Sequence, residues 1–133
     1  MTAFADTNVV AYALDGADLE KQAAATEILR TSPRPCTSPQ VLRELYVVAR
    51  SKLGLSTAAA ASAVRTLRPT VAVIEDAALV IAAIAAAEKW TLSLWDALIV
   101  AAAARAGCST LLTEDLQHGM NFEGVRVVNP FAS

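Results

Sequence analysis

Short apolar runs of β type alternate along this chain with longer stretches whose apolar residues recur at helical spacing. The first run, residues 2–5, ends at Asp6 and predicts a strand followed by a short helix. A longer helix is expected over residues 18–30, then a break at Ser32-Pro33-Arg34-Pro35 and a short strand at Cys36-Thr37. Ser38-Pro39 is a strong helix start, with Ser as N-cap and Pro at the first helical position, and that helix should run to Lys52, just before Gly54. Ser56 opens another helix that must stop before Pro69, and residues 71–74 read as a strand. Glu75-Asp76 suits the positive end of a helix reaching Lys89. Ser93 opens the last helix, which ends at Gly107. Residues 109–112 and 125–128 complete the strands. This alternation predicts an α/β fold around a mostly parallel sheet. No low-complexity linker or repeat divides residues 1–133, so a single domain is expected.

Composition narrows the picture. Hydrophobic residues reach 55% against 18% charged, the opposite of a disordered chain. Aromatics are only 5%, so Ala, Val, Leu and Ile must build the core. The mean hydropathy of +0.43 is high for a water-soluble domain and asks for apolar surface hidden against a partner. The longest uncharged apolar run, residues 77–87, falls well short of the ~20 residues a spanning helix needs, so it reads as a buried helix. Met1-Thr2-Ala3-Phe4-Ala5-Asp6 lacks the basic start of a secretory signal, and a cytoplasmic location is expected with no membrane partner. Cys36, Cys108 and His118 are too few and too scattered for a Cys/His zinc site; the cysteines read as small buried hydrophobes and His118 as a loop residue.

Two acids interrupt apolar helical faces. Glu44 has Val41, Val47 and Val48 as its neighbours one turn away, and Asp96 shares its face with Ile99 and Val100. A carboxylate there costs several kcal/mol unless it is compensated. Two further acids, Asp6 and Asp115, follow strands, on the side of a parallel sheet where ligands bind. Thr7 and Thr113 stand beside them with hydroxyl oxygens. Each acid also has an ordinary reading. Asp6 suits a helix cap, Asp96 its own helix dipole and Asp115 a turn, while Glu44 has Arg43, Arg50 or a more distant arginine as a potential partner. The case therefore rests on the set.

Four converging carboxylates would repel strongly: a pair ~4 Å apart costs roughly 4 kcal/mol at an effective dielectric of ~20. Such a cluster is relieved by protons or by hard cations, and oxygen ligands select Mg²⁺ or Mn²⁺. A site of that kind suits phosphodiester hydrolysis and needs no His or Lys base. The net charge of −2 argues against a nucleic-acid partner at first sight, but two bound divalent ions would add four positive charges and turn it to +2.

Taken in order, these segments resemble the PIN-domain ribonucleases and, within them, the VapC toxins of bacterial toxin–antitoxin pairs. The resemblance spans almost the whole chain. It is carried by Asp6-Thr7-Asn8, by Ser38-Pro39-Gln40-Val41-Leu42-Arg43-Glu44-Leu45, by Leu94-Trp95-Asp96-Ala97-Leu98-Ile99-Val100-Ala101-Ala102-Ala103, by Leu111-Leu112-Thr113-Glu114-Asp115-Leu116, and by a closing strand before Asn129-Pro130-Phe131. The resemblance implies a three-layer α/β/α PIN-like fold and Mg²⁺- or Mn²⁺-dependent endonucleolytic cleavage of RNA. It also implies a toxin homodimer and a cognate VapB-like antitoxin whose C-terminal segment covers the active-site groove. Asp6, Glu44, Asp96 and Asp115 take the metal-ligand and catalytic positions, supported by Thr7, Asn8 and Thr113. Glu114 abuts the fourth acid; the family pattern of Thr, any residue, Asp selects Asp115.

The high hydropathy then fits apolar surface hidden in such contacts. Helices 18–30 and 38–52 are candidates through Leu42, Leu45 and Tyr46, with core packing the competing role. Arg43, Arg50 and Lys52 lie near Glu44 and either meet RNA or form a solvated face. Trp95 is expected to pack rather than to stack on a base. Two rival functions remain. A phosphoacceptor receiver domain needs a late lysine, whereas the lysines here are Lys21, Lys52 and Lys89. A catalytically silent PIN-fold RNA-binding or scaffold module would share the fold, although all four acids are present.

Overall fold

The computed structural model describes residues 2–132; Met1 and Ser133, the two ends of the expected domain, lie outside the described residues. The elements follow in the order β1 (Ala3–Ala5), α1 (Thr7–Tyr12), α2 (Leu19–Arg30), α3 (Pro39–Ser51), α4 (Thr57–Leu67), α5 (Ala77–Trp90), α6 (Leu94–Arg105), β2 (Thr110–Leu112), β3 (Asn121–Phe122) and β4 (Val125–Val128). The expected start signals are used. Ser38, Ser56 and Ser93 accept hydrogen bonds from the third residue beyond them and cap α3, α4 and α6.

The sheet order is β1-β2-β4-β3. β1 runs parallel to β2, and β2 parallel to β4; only β3 is antiparallel. α1 packs against both α2 and α3, α3 against α4, α5 packs on α6, and α6 lies against β2 and β4. These are the expected α/β/α layers. Phe4, Leu111 and Val127 form one row across the three parallel strands, and all are fully buried. Val10, Val41, Leu45 and Val100 pack into the same core. Leu45 is thus a core residue, Leu42 lies partly buried against it, and Tyr46 is exposed.

Two strand expectations are corrected. Residues 71–74 do not form a strand: Val71 makes a single parallel bridge to Thr37, which in turn adjoins the Phe4–Cys36 bridge. Beyond Val71 the segment leaves the sheet. Ile74 is 78% exposed, and Glu75 turns back to accept from the Gln40 backbone N–H at 2.6 Å, so it caps α3 rather than α5. Asp76 alone caps α5. Conversely, β3 was not expected. It pairs with β4 through a two-residue turn at Glu123 and Gly124, whose φ angles of 55° and 84° are those of a mirror-image hairpin turn. Glu-Gly is a weaker turn signal than Asn-Gly or Asp-Gly, so the hairpin does not stand out in the sequence.

Cys36 and Cys108 are both free thiols. Cys108 is buried, and burial together with the neighbouring Cys36 pushes its thiol up to about 12. His118 lies exposed in a loop, as expected, where its Nδ1 accepts from the Asn129 N–H at 3.0 Å. Trp95 departs from expectation: it is 63% exposed, in the first turn of α6. Among the described residues, no single helix is long and apolar enough to cross a membrane.

Leu45→Ala should lower the unfolding free energy by about 2–5 kcal/mol, because it opens a cavity in a fully buried site. Val47→Ala, at a position 61% exposed two residues on, should stay within about 0.5 kcal/mol in the same urea titration.

Candidate active site

Parallel pairing sets Ala5 beside Leu112, so both strands deliver the next residue to the same edge of the sheet. Asp6 follows Ala5 and Thr113 follows Leu112. The two backbones are tied there by the Asp6 N–H to Leu112 carbonyl bond at 3.0 Å. The Thr113 hydroxyl donates to Asp6 Oδ2 at 2.9 Å. Asp6 Oδ1 accepts from the Thr7 N–H at 2.7 Å and caps α1. Capping and a place at the site are therefore compatible for this residue.

The other acids are drawn in by neutral side chains of α1. The Thr7 hydroxyl donates to Glu44 Oε1 at 2.7 Å, so one threonine contacts both Asp6 and Glu44. Asn8 Nδ2 lies 3.4 Å from Asp6 Oδ2, 3.1 Å from Thr113 Oγ1 and 2.9 Å from Asp115 Oδ2. Its Oδ1 accepts from the Glu114 N–H at 3.2 Å and fixes the loop after β2. Asp96 sits in the first turn of α6, with its N–H donated to the Ser93 cap at 3.1 Å. It feels the charges of Asp115 and Glu44, and Asp6 feels the same two. The four acids thus share one electrostatic neighbourhood. Asp6 is buried, Glu44 and Asp96 are half-buried, and Asp115 is exposed.

Among the described residues, no salt bridge reaches any of these four acids. Arg43 pairs instead with Glu75 at 2.8 Å, and Arg50 donates to the Leu55 carbonyl at 2.9 Å, so neither neutralises Glu44. Glu114 points elsewhere. It accepts from the Tyr12 hydroxyl at 2.6 Å and pairs with Lys21 at 2.9 Å. Burial would raise its carboxyl, but Tyr12 and Lys21 together hold it below the usual glutamate range. The geometry therefore separates the two adjacent acids, Asp115 towards the cluster and Glu114 towards a lysine.

Burial raises Asp6 to about 6; the Thr113 hydroxyl and Thr7 amide oppose this, and Asp115 and Glu44 add to it. Asp96 is raised in the same sense, first by burial, then by Asp115 and Glu44, against the pull of Ser93. The donor set is all oxygen and carries no cationic counterweight, which fits a hard divalent ion. Among the described residues, no three His, Cys, Asp or Glu groups close around a single point.

A groove of about 700 Å³ opens beside the acids, lined by Thr7, Asn8, Glu44 and Asp115 at one end and by Val47 and Leu53 further along. Arg43 and Lys52 stand on its rim. Sequence reasoning missed three participants: Gln40, which donates to Glu44 Oε2 at 3.1 Å, and the Tyr12–Lys21 pair that holds Glu114. The spacing of four between Gln40 and Glu44 was the available signal for the first.

A raised carboxyl makes a signed prediction. Asp6 binds its proton more tightly folded than unfolded, so it withdraws stability as pH rises from about 4 through 6. The cost at neutral pH is roughly 3 kcal/mol. Asp6→Asn should raise the melting temperature of the metal-free protein by several degrees at pH 7, and the gain should vanish at pH 4 in thermal scans with EDTA.

No curated protein matches this sequence. Among solved structures, the fold is similar to VapC20 of Mycobacterium tuberculosis, described as a Sarcin-Ricin loop cleaving toxin, with a TM-score of 0.66, 24% identity and coverage of 94% of this chain and 99% of that one. It is also similar to VapBC2 of Rickettsia felis, solved bound to a DNA fragment from its promoter, with a TM-score of 0.64, 19% identity and coverage of 96% and 97%. The PIN domain family model matches residues 3–119. A match that begins in β1 and runs past Asp115 takes in all four acids, and the chain belongs to the PIN domain family.

Proposed function

We propose that this chain is a Mg²⁺- or Mn²⁺-dependent endoribonuclease and the toxin of a VapBC-type pair, cutting RNA at Asp6, Glu44, Asp96 and Asp115. The observation that carries this reading is a group of four mutually repelling acids. They are held by neutral donors and, among the described residues, paired with no cation, at the strand ends of a PIN domain. Membership of the family and likeness in fold to two VapC structures support it.

Each residue has a physical task. Asp6, Glu44, Asp96 and Asp115 would hold the ion or ions, whose chemistry is to polarise the scissile phosphate and acidify water. Thr7, Asn8 and Thr113 keep the carboxylates oriented by donating to them. The buried floor at Asp6 lowers the local dielectric and strengthens every charge interaction above it. Lys52, which lines the groove, is placed to meet phosphates, whereas Arg43 is paired with Glu75 and Arg50 is engaged with the backbone.

The same reading gives the groove two occupants, RNA and the tail of a VapB-like antitoxin. Its apolar wall at Val47 and Leu53 suits a protein segment. A homodimer would cover Ile81 and Ile84 of α5, which are 68% and 45% exposed.

Glu44→Gln and Asp96→Asn should each lower kcat/KM for RNA cleavage in Mn²⁺ by about 100-fold or more, equivalent to roughly 2.7 kcal/mol of lost transition-state stabilisation. Both should stay folded by circular dichroism, and EDTA should stop the unmodified protein. Glu114→Gln should keep most activity, because that carboxylate is occupied by Lys21 and Tyr12. Binding of RNA without cleavage at any Mn²⁺ concentration would favour the silent-module alternative.

A further inference from the structure

Gln40 is an amide buried where an apolar residue would serve packing as well. It is 4% exposed, between Pro39 and the core residue Val41. Its Nε2 donates to Glu44 Oε2 at 3.1 Å and to the Trp95 carbonyl at 3.1 Å. Both partners only accept, so the amide must present its nitrogen to them; turned over, its oxygen would face two oxygens. The main chain is pinned as well: the Gln40 N–H donates to Glu75 at 2.6 Å, and Glu75 is held by Arg43 at 2.8 Å. One side chain therefore links an acid of α3 to the backbone carbonyl next to Asp96 on α6.

We propose that Gln40 is a positioning residue that sets the spacing between Glu44 and Asp96 and thereby the grip of the site on its divalent ion. This rests on the metal-site reading above and adds a residue to it. Glu44 stands on α3 and Asp96 on α6, so affinity depends on where each carboxylate is held. Thr7 fixes one oxygen of Glu44, and Gln40 fixes the other. Without the amide, the carboxylate keeps one anchor and turns about it, and α3 loses its polar link to the first turn of α6. Partners of metal ligands typically shift metal affinity by about 10- to 100-fold when removed.

The test compares the full-length wild type with Gln40→Met, which keeps the length and removes both donors. Mn²⁺ binding is read by electron paramagnetic resonance titration, and RNA cleavage is read across Mn²⁺ concentration. Mn²⁺ affinity should weaken by about 10- to 100-fold, and cleavage should recover as Mn²⁺ is raised. Gln40→Asn, whose amide falls one methylene short, should weaken binding in the same direction and serves if the Met variant does not fold. Wild-type Mn²⁺ affinity in a folded variant overturns the proposal, as does a loss of kcat that Mn²⁺ does not rescue. A wild-type protein that neither binds Mn²⁺ nor cuts RNA overturns the metal-site reading itself, a result distinct from a difference between variants.

Discussion

The side-by-side pairing of Ala5 with Leu112 is the constraint on which the site depends. Parallel strands send their next residues to the same edge, so Asp6 and Thr113 meet without any loop having to bring them together. An antiparallel pairing would send one of them to the far edge. Parallel strands need a long crossover, and here it contains α1 to α6. That crossover carries the other two helical acids, Glu44 on α3 and Asp96 on α6, to the same place. The row of Phe4, Leu111 and Val127 keeps this register, because a slip by one residue would turn buried side chains outward.

Charge in this half of the molecule is sorted. Three acids outside the cluster take cationic partners: Glu114 takes Lys21, Glu75 takes Arg43 and Asp76 takes Arg105. Acids inside it receive only neutral donors from Thr7, Asn8, Gln40, Thr113 and the backbone. A neutral donor orients a carboxylate without cancelling its charge, whereas an arginine would do both. Burial raises the carboxyl of Asp6, and the charges of Asp115 and Glu44 add to it. Stability is given up locally where the carboxylates gather, a trade common at functional sites. The diversion of Arg43 to Glu75 matters as much as the acids themselves, since Arg43 is the immediate neighbour of Glu44 in sequence.

Much of this was legible in the chain because it depends on local rules. Ser38, Ser56 and Ser93 cap their helices with the geometry that their residue type implies. The oddity of Glu44 and Asp96 on apolar faces could be read from spacing alone. What escaped depends on tertiary neighbours. Residues 71–74 have a strand-like composition, but β propensity needs a partner strand, and only Val71 finds one. The stripe around Glu44 is not uniformly buried either: Val41 is in the core while Val47 faces the groove. Gln40 reaches the Trp95 carbonyl, and Lys21 its partner, across distances in sequence that no periodicity encodes. Lys21 reaches Glu114 from 93 residues away.

The high hydropathy has a more specific origin than a greasy surface in general. Much of it lies in α5 and α6, where alanines allow the two helices to approach closely, with Ala83, Ala86 and Ala97 buried between them. Alanine buries little area per residue, so this contact must be broad to be stable. It leaves the opposite side of α5 uncovered: Val80, Ile81 and Ile84 recur there at helical spacing and remain exposed. The groove beside Glu44 has its own apolar wall on α3. Two apolar surfaces are left uncovered, one on α5 and one on α3 beside the acids. The chain's composition thus reflects the division of its surface as much as the filling of its core.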